Sequence, residues 1–332
     1  MLKTNKMLCL SILNIGLILV LILSISSVGV MATQGEIRLA HVQPTGDITH
    51  LVAIKFKELV EKLTDKEITV QIFPNGMLGG DRDILEALST GALEMTVAGT
   101  NILSWYTPEY SIMDGMFIFR DKKHSRAVWD SPIGDEIKKA IEKKTNIMTL
   151  ATFYRSPRLL TSNKPVITPE DLKGLKIRLP EIKIWMDVWR QLGALPTPIA
   201  FPELFASLQT GIVDAQENPV ELIYSAQFYE VQKYVSLTNH VYGSNVIHIS
   251  KLFFDKLSNE QQQAIIKATK EAGEYGDGLQ ESSEGELMKK LVEKGMIIVE
   301  PKMELFLKLA QPAIEILKEG WRKGIYEEIQ KY

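Results

Sequence analysis

The sequence predicts a two-lobed α/β fold, and three observations lead to it. At 332 residues the chain exceeds the size at which one hydrophobic core stops growing, roughly 250–300 residues. A strand-helix-strand pattern, the unit of a parallel sheet, occurs at two well-separated places. Polar side chains crowd the far end of each copy, most densely in GIVDAQENP (211–219), where a plain connection needs only about 2–6 residues of turn chemistry. Hydrophobic residues at 45% and charged residues at 24% match an ordinary soluble protein.

Taken in order, the chain opens on Lys3 and Lys6, then an apolar run from Met7 to Met31, with Val30-Met31-Ala32 at the small-residue spacing a signal peptidase reads. The reading is a cleavable export signal over 1–32 and a mature chain starting near Thr33. An uncleaved anchor stays open, because the run approaches the length that spans a bilayer. Cys9, the one cysteine, lies in that run without the small-residue context that a lipid-modified cysteine needs. A mature chain then carries no disulfide, thiolate nucleophile or cysteine metal site. The net charge of −3 offers no basic excess for phosphates and argues against a nucleic-acid binder. Small anions remain open to local cationic groups.

The repeat is ILEALSTGALEM (84–95) and LFASLQTGIVDA (204–215). Each has an apolar i, i+3 stripe, with Leu85 and Leu88 matching Phe205 and Leu208, then Thr-Gly, two apolar residues and an acid. Gly91 and Gly211 stand where a helix ends in a left-handed residue. Strand-like EITVQIFP (67–74) and ALPTPIAF (194–201) precede the two helices, and ALEMTVAG and IVDAQ follow them. Thr-Gly endings are common, so on this signal alone coincidence is the alternative. Two βαβ units, one per lobe, direct a ligand to the crevice outside the carboxyl ends of the strands. Thr100 and Asn101 occupy that end of the first unit; Gln216, Glu217 and Asn218 occupy it in the second.

Cationic candidates stand nearby. DLKGLKIRLPE (171–181) alternates as a strand, with Leu175, Ile177 and Leu179 on one face and Lys176 and Arg178 on the other, bounded by Gly174 and Pro180. A guanidinium at a strand end grips a carboxylate with two parallel hydrogen bonds, which lysine cannot reproduce; a solvated edge arginine fits the same pattern. FYRSPRLLTSNKP (153–165) adds Arg155 and Arg158 after strand-like IMTLATF, a position suited to a crossover between lobes or to solvated loop arginines. Asn218 precedes Pro219 and the apolar VELIYSAQFY, so it also reads as a helix N-cap. Phe201, closing TPIAF, reads as a cleft floor or as core.

Catalytic motifs are missing. The five histidines, His41, His50, His124, His240 and His248, show no HExxH or paired spacing, and the sequence has no GxSxG elbow, P-loop or Gly-rich dinucleotide loop. An exported enzyme using Glu217 or Asp214 on a carboxylated substrate stays as an alternative without motif support.

DLKGLKIR, LGALPTPIAFPELFASLQTGIVDAQENP and YEVQKYVSLTNH, with FPNGMLGGDRDILEALSTGALEM upstream, resemble the solute-binding subunit of tripartite ATP-independent periplasmic (TRAP) transporters, the DctP-like family. The match runs in order over most of the mature chain. The resemblance implies a two-lobed periplasmic-binding-protein fold of α/β class, each lobe a mixed sheet flanked by helices, with a long helix spanning both. NEQQQAIIKATKEAGEYGDGLQESSEGELMKKLVEKG fits that helix, with Ser258 as cap, Gln261 at the capping-box position and Gly295 near its end. The implied lobes are 33–155 plus 244–283 and 156–243 plus 284–332.

Carried over residue by residue, the resemblance makes Arg178 the arginine that pairs with a ligand carboxylate and Asn218 the asparagine that hydrogen-bonds the same group. Arg158 becomes a second arginine near the ligand and Phe201 an aromatic lining the cleft; Asn101, Thr100 and Glu217 are added from the strand ends. The implied function is capture of a small organic acid in the periplasm by hinge closure and delivery to the membrane subunits of a TRAP permease, by a monomer without metal or cofactor. The wording of 214–240 is closest to sugar-acid binders, such as those for hexuronates, with C4-dicarboxylates as the alternative. Three departures stand out: Ala215 replaces a common Gly, Met116 in DGMFIF replaces a frequent Pro, and the first-lobe loop lacks the charges of some sialic-acid binders.

Overall fold

The computed structural model describes residues 35–332; the expected export signal over 1–32, its cleavage near Thr33, and Cys9 lie outside the described residues. In chain order the strands are β1 (Glu36–Ala40), β2 (Thr69–Phe73), β3 (Met95–Gly99), β4 (Ile147–Tyr154), β5 (Arg158–Ser162), β6 (Lys176–Leu179), β7 (Leu195–Pro198), β8 (Ala215–Pro219), β9 (Tyr234–Ser236), β10 (Ser244–Ser250) and β11 (Ile297–Val299). They form a five-stranded sheet, ordered β2-β1-β3-β10-β4, and a six-stranded sheet, ordered β11-β9-β5-β8-β6-β7.

The repeat read in the sequence is the parallel part of each sheet. β2 and β3 flank β1 in parallel, and β7 and β8 flank β6 in parallel. In each case the helix between the outer strands, Asp81–Thr90 or Leu204–Gln209, carries the chain across the central strand. Both helices give way to a glycine in the left-handed region, Gly91 at φ 75° and Gly211 at φ 72°, where a side chain is strained. Antiparallel neighbours complete each sheet: β10 beside β3, and β5 beside β8. Both sheets are therefore mixed, and the carboxyl ends of β3 and β6 face one cleft.

The chain crosses between sheets three times, from β4 to β5, from β9 to β10 and, through a long helix, from β10 to β11. A 35-residue helix, Asn259–Glu293, ties them together. It starts as expected: the Ser258 hydroxyl accepts from the Gln261 N–H at 3.2 Å and the Gln261 amide oxygen accepts from the Ser258 N–H at 3.1 Å. Near its start Ile265, Ala268 and Ala272 join the first-lobe core with Val52, Phe56 and Phe153. Near its end Leu291 joins the second-lobe core with Leu204 and Val235. Between them Gly276 lets the helix press on Phe153 and Val52; a Cβ there would lie 2.8 Å from each.

Several local expectations shift. The strand read as IVDAQ begins at Ala215 and runs through Pro219, so Gln216, Glu217 and Asn218 sit within the ladder rather than beyond it. Asn218 faces Leu159 in β5 and caps nothing; Pro219 is the N-cap of a helix limited to Val220–Ser225. That helix ends short of the predicted VELIYSAQFY because Gln227 takes a left-handed conformation at φ 56°. Ala215, fully buried, fills core space where glycine would leave a gap.

The C-terminal segment does not stay on the second lobe. Helix Met303–Lys318 packs on helix Lys183–Gln191, but the chain then returns to first-lobe elements. The Trp321 indole donates to Ser111 Oγ at 3.2 Å, the Arg322 N–H to the Glu109 carbonyl at 2.8 Å, and His124 Nε2 lies 2.9 Å from the Ile329 carbonyl. Burial of Trp321, Ile325 and Ile329 in one cluster with Trp129 and Ile133 accounts for this return. Among the described residues no helix is long and apolar enough to cross a membrane, and no group of three metal-ligating side chains gathers.

Candidate functional site

The second-lobe wall of the cleft is built on an ion pair between neighbouring strands. Arg158 opens β5, where Leu160 pairs with Glu217 of β8. Its Nε donates to Glu217 Oε2, and its Nη2 donates to Glu217 Oε1 at 2.8 Å, to the Glu217 carbonyl at 2.7 Å and to Asn218 Oδ1 at 2.9 Å. The guanidinium lies over the Trp185 ring, 4.7 Å from its centroid. His240 Nε2 is 2.9 Å from Glu217 Oε2 and its Nδ1 is 2.8 Å from the Thr238 hydroxyl. Burial lowers the His240 pKa, so the ring is neutral at pH 7, with the Nε2 proton facing the carboxylate. For Glu217 burial opposes ionisation, but Arg158 and the His240 hydrogen bond hold the carboxyl down to about 2.

Glu217 was expected to touch a ligand; instead it is wholly buried and both its oxygens are consumed by Arg158 and His240. It stiffens the wall. Asn218, 2% exposed, is oriented from both sides: its oxygen accepts from Arg158 and its amide donates to Gln216 Oε1 at 2.5 Å. One amide hydrogen of Asn218 remains for another acceptor.

Arg178 has a different status. It sits one residue before the end of β6, with a side chain only 3% exposed, and its Nε donates to the Ile199 carbonyl at 2.8 Å. Its terminal nitrogens have no hydrogen-bond or ion-pair partner among the described residues. Phe201 lies beneath, its centroid 5.9 Å from the guanidinium, braced by an edge-on contact with Phe228. Burial lowers the Arg178 pKa to about 10, with Glu217 opposing and Arg158 adding to the fall. The group is cationic at neutral pH and poorly solvated, which favours an incoming carboxylate.

Opposite stand first-lobe groups. Arg178, Arg158, Asn218 and Phe201 share a cavity of about 20 Å³ with Gln43, Asp81, Gly99 and Asn101 of the first lobe and with Arg155 of the crossover. That is room for about one water molecule. Asp81, Arg178, Pro180 and Phe201 also line an adjoining cavity of about 260 Å³. The lobes are closed: the Trp105 indole donates to the Glu181 carbonyl at 2.6 Å and Ser225 Oγ to Asp47 Oδ2 at 3.3 Å, both across the cleft.

Arg178, Asn218, Arg158, Phe201 and Asn101 thus converge on one cavity. Thr100 does not line it: its hydroxyl turns to Asp114, a fully buried carboxyl whose pKa burial raises to about 6 against the Thr100 hydrogen bond. Arg155, Asp81 and Gln43 converge there too, although none was singled out as a ligand contact. The signal for Arg155 is the first arginine in YRSPR at the predicted crossover; for Asp81 it is an acid directly after Gly79-Gly80 at a helix start. Gln43 left no local signal.

The sequence model of the family described as bacterial extracellular solute-binding protein, family 7, matches residues 39–323. A solute-binding protein of Roseobacter denitrificans is 38% identical over 291 residues, covering 88% of this chain and 89% of its own. The 2,3-diketo-L-gulonate-binding periplasmic protein of Escherichia coli is 34% identical over 254 residues, covering 76% of this chain and 77% of its own. Among solved structures, a TRAP periplasmic solute-binding protein from Roseobacter denitrificans with bound L-galactonate aligns at a TM-score of 0.84 with 36% identity, over 90% of this chain and 99% of that one.

Proposed function

Because the chain belongs to the bacterial extracellular solute-binding proteins of family 7, it is a solute-binding subunit and not an enzyme, and we propose that it captures a small sugar acid, a hexuronate or related six-carbon acid, between its lobes. The observation that carries this reading is Arg178: a buried cation at a strand end that lines the interlobe cavity and whose terminal nitrogens meet no acceptor among the described residues. The relatives' sugar-acid ligands, L-galactonate and 2,3-diketo-L-gulonate, support the ligand class.

In the proposed mechanism the open protein takes the carboxylate on Arg178, with Asn218 donating its remaining amide hydrogen to the same group. Arg158, held by Glu217, adds positive field, and Phe201 floors the site. Hinge motion at the β4–β5 and β9–β10 crossovers closes the lobes, with a first lobe of 33–155 plus 244–283 as the hinge unit. Closure brings Asn101 and its neighbours against the ligand and expels water, so the ion pair strengthens as the local dielectric falls. The closed protein, exported as a periplasmic monomer, then docks on the membrane subunits of a TRAP permease.

Calorimetry on Arg178→Ala tests the reading. Loss of the cation leaves a buried carboxylate unpaired, a cost of about 3–5 kcal/mol, or roughly 100-fold or more in affinity. Unchanged affinity for the cognate acid refutes it. Tighter binding of succinate or malate than of any sugar acid would transfer the site to C4-dicarboxylates.

A further inference from the structure

The first-lobe side of the cleft carries polar groups that the carboxylate anchor does not use. Arg155 leaves the end of β4 and lays its guanidinium on the end of β3. A Cβ built on Gly99 would sit 2.5 Å from Arg155 Nη1 and 2.9 Å from Asn101 Oδ1. Only glycine leaves that groove open. Among the described residues the Arg155 guanidinium makes no hydrogen bond and no ion pair, yet it lines the same cavity as Arg178. Gln43, 4% exposed, lines that cavity with its amide oxygen buried and unpartnered. The Asp81 carboxylate, at the first turn of its helix, likewise accepts no hydrogen bond and lines both cavities.

Resting on the sugar-acid reading above, we propose that Arg155, set in place by Gly99 and acting with Gln43 and Asp81, is a specificity-determining residue that reads the ligand's hydroxyl chain. A wall with an unpaired donor beside two unpaired acceptors matches hydroxyl groups, which donate and accept at once; a second carboxylate only accepts. Charge points the same way. Arg158 is held by Glu217, which leaves Arg178 as the cation without a nearby anion that one ligand carboxylate can meet. Glu221, Asp47 and Asp81 already act on Arg155 through space, so a second carboxylate placed beside it would meet like charge. The ligand class is therefore a polyhydroxylated monoacid rather than a diacid. A site built to hydrogen-bond hydroxyls rejects analogues without them, because its buried groups are then left unpaired.

Calorimetric titration of L-galactonate, hexanoate and succinate into wild type, Arg155→Met, Gly99→Ala and Arg178→Ala tests this. Wild type should bind L-galactonate at least about tenfold tighter than either other acid. Arg155→Met should weaken L-galactonate at least about tenfold. Gly99→Ala, which removes nothing from the ligand but displaces the far ends of Arg155 and Asn101, should weaken it by at least about threefold at an unchanged melting temperature. Affinities of both variants within about twofold of wild type overturn the inference, as does hexanoate or succinate binding as tightly as L-galactonate. L-galactonate affinity that falls in Arg178→Ala but stays within about twofold of wild type in Arg155→Met and Gly99→Ala overturns this inference and leaves the proposed function standing. Acid binding that ignores Arg178 overturns both.

Discussion

Glu217→Gln isolates the ion pair beneath the cleft wall. The substitution keeps the shape of the side chain and removes its charge. Glu217 Oε1 accepts from Arg158 Nη2, and Oε2 accepts from Arg158 Nε. An amide group has one acceptor, so in either orientation its NH2 faces an Arg158 donor and no tautomer of His240 relieves the clash. The carboxyl shift from 4.5 to about 2 corresponds to roughly 3 kcal/mol at about 1.4 kcal/mol per unit. The range for stranding one partner of a buried pair is about 3–5 kcal/mol. The expected loss at pH 7 is therefore about 3 kcal/mol by urea unfolding, or roughly 5 °C in melting temperature at about 2.1 cal/mol/K per residue.

The pH dependence has a definite sign. A carboxyl with a depressed folded-state pKa contributes its full stability above the unfolded value, 4.5, and loses it as pH falls toward about 2. The gap between wild type and Glu217→Gln should stay constant from pH 7 to about 5 and shrink between about 4.5 and 2. A variant within about 0.5 kcal/mol of wild type at pH 7, or a gap that does not narrow in acid, refutes the assignment of Glu217 as the partner that keeps Arg158 in place.

Two further perturbations probe the scaffold. Asp114 is the opposite electrostatic case: burial raises its pKa to about 6 from 3.8, and Oδ2 has no partner among the described residues, so wild type should gain roughly 2.4 kcal/mol relative to Asp114→Asn as pH falls from 7 to about 4. Paired unfolding curves at those two pH values check it. In the long helix, Gly276→Ala forces a methyl 2.8 Å from Phe153 and Val52, and overpacking at about 1–3 kcal/mol should outweigh the gain of about 1 kcal/mol in helix propensity. Gly278→Ala, which meets nothing within 4 Å, should instead stabilise by about 0.5–1 kcal/mol; equal effects at the two sites would contradict the packing.

Local patterns made the scaffold legible. Thr-Gly marked both helix ends because a left-handed residue is a local demand, and the alternation of KIRL marked β6 because a strand shows its two faces in its own sequence. Ser258 and Gln261 announced the long helix three residues apart. Arg178 could be placed at a strand end from Pro180 alone. Its neighbours could not be placed so directly, because their roles depend on pairs far apart in the chain. Glu217 reads as a cleft-facing acid in AQENP until β8 pairs with β5 and brings Arg158, 59 residues away, onto its carboxylate. Asn218 fits an N-cap by every local criterion, yet ladder pairing with Leu159 holds it in the strand. The return of Trp321 to Ser111 spans 210 positions and leaves no periodic trace.

The same long-range pairing explains why closure should depend on a ligand. Of the three cavity arginines, only Arg158 has an anionic partner within 4.0 Å among the described residues. Arg158 acts unfavourably through space on both Arg155 and Arg178, and burying a guanidinium without a partner adds a further cost. Opening the cleft returns Arg155 and Arg178 to water and relieves both costs. A bound monoacid relieves them in the closed form, because it supplies the missing negative charge and hydrogen-bond acceptors where the lobes meet. The ligand therefore stabilises the closed form over the open one by the differential interaction that a population shift requires. Had Glu217 stood beside Arg178 instead of Arg158, the closed form would carry its own counter-ion and would close without cargo.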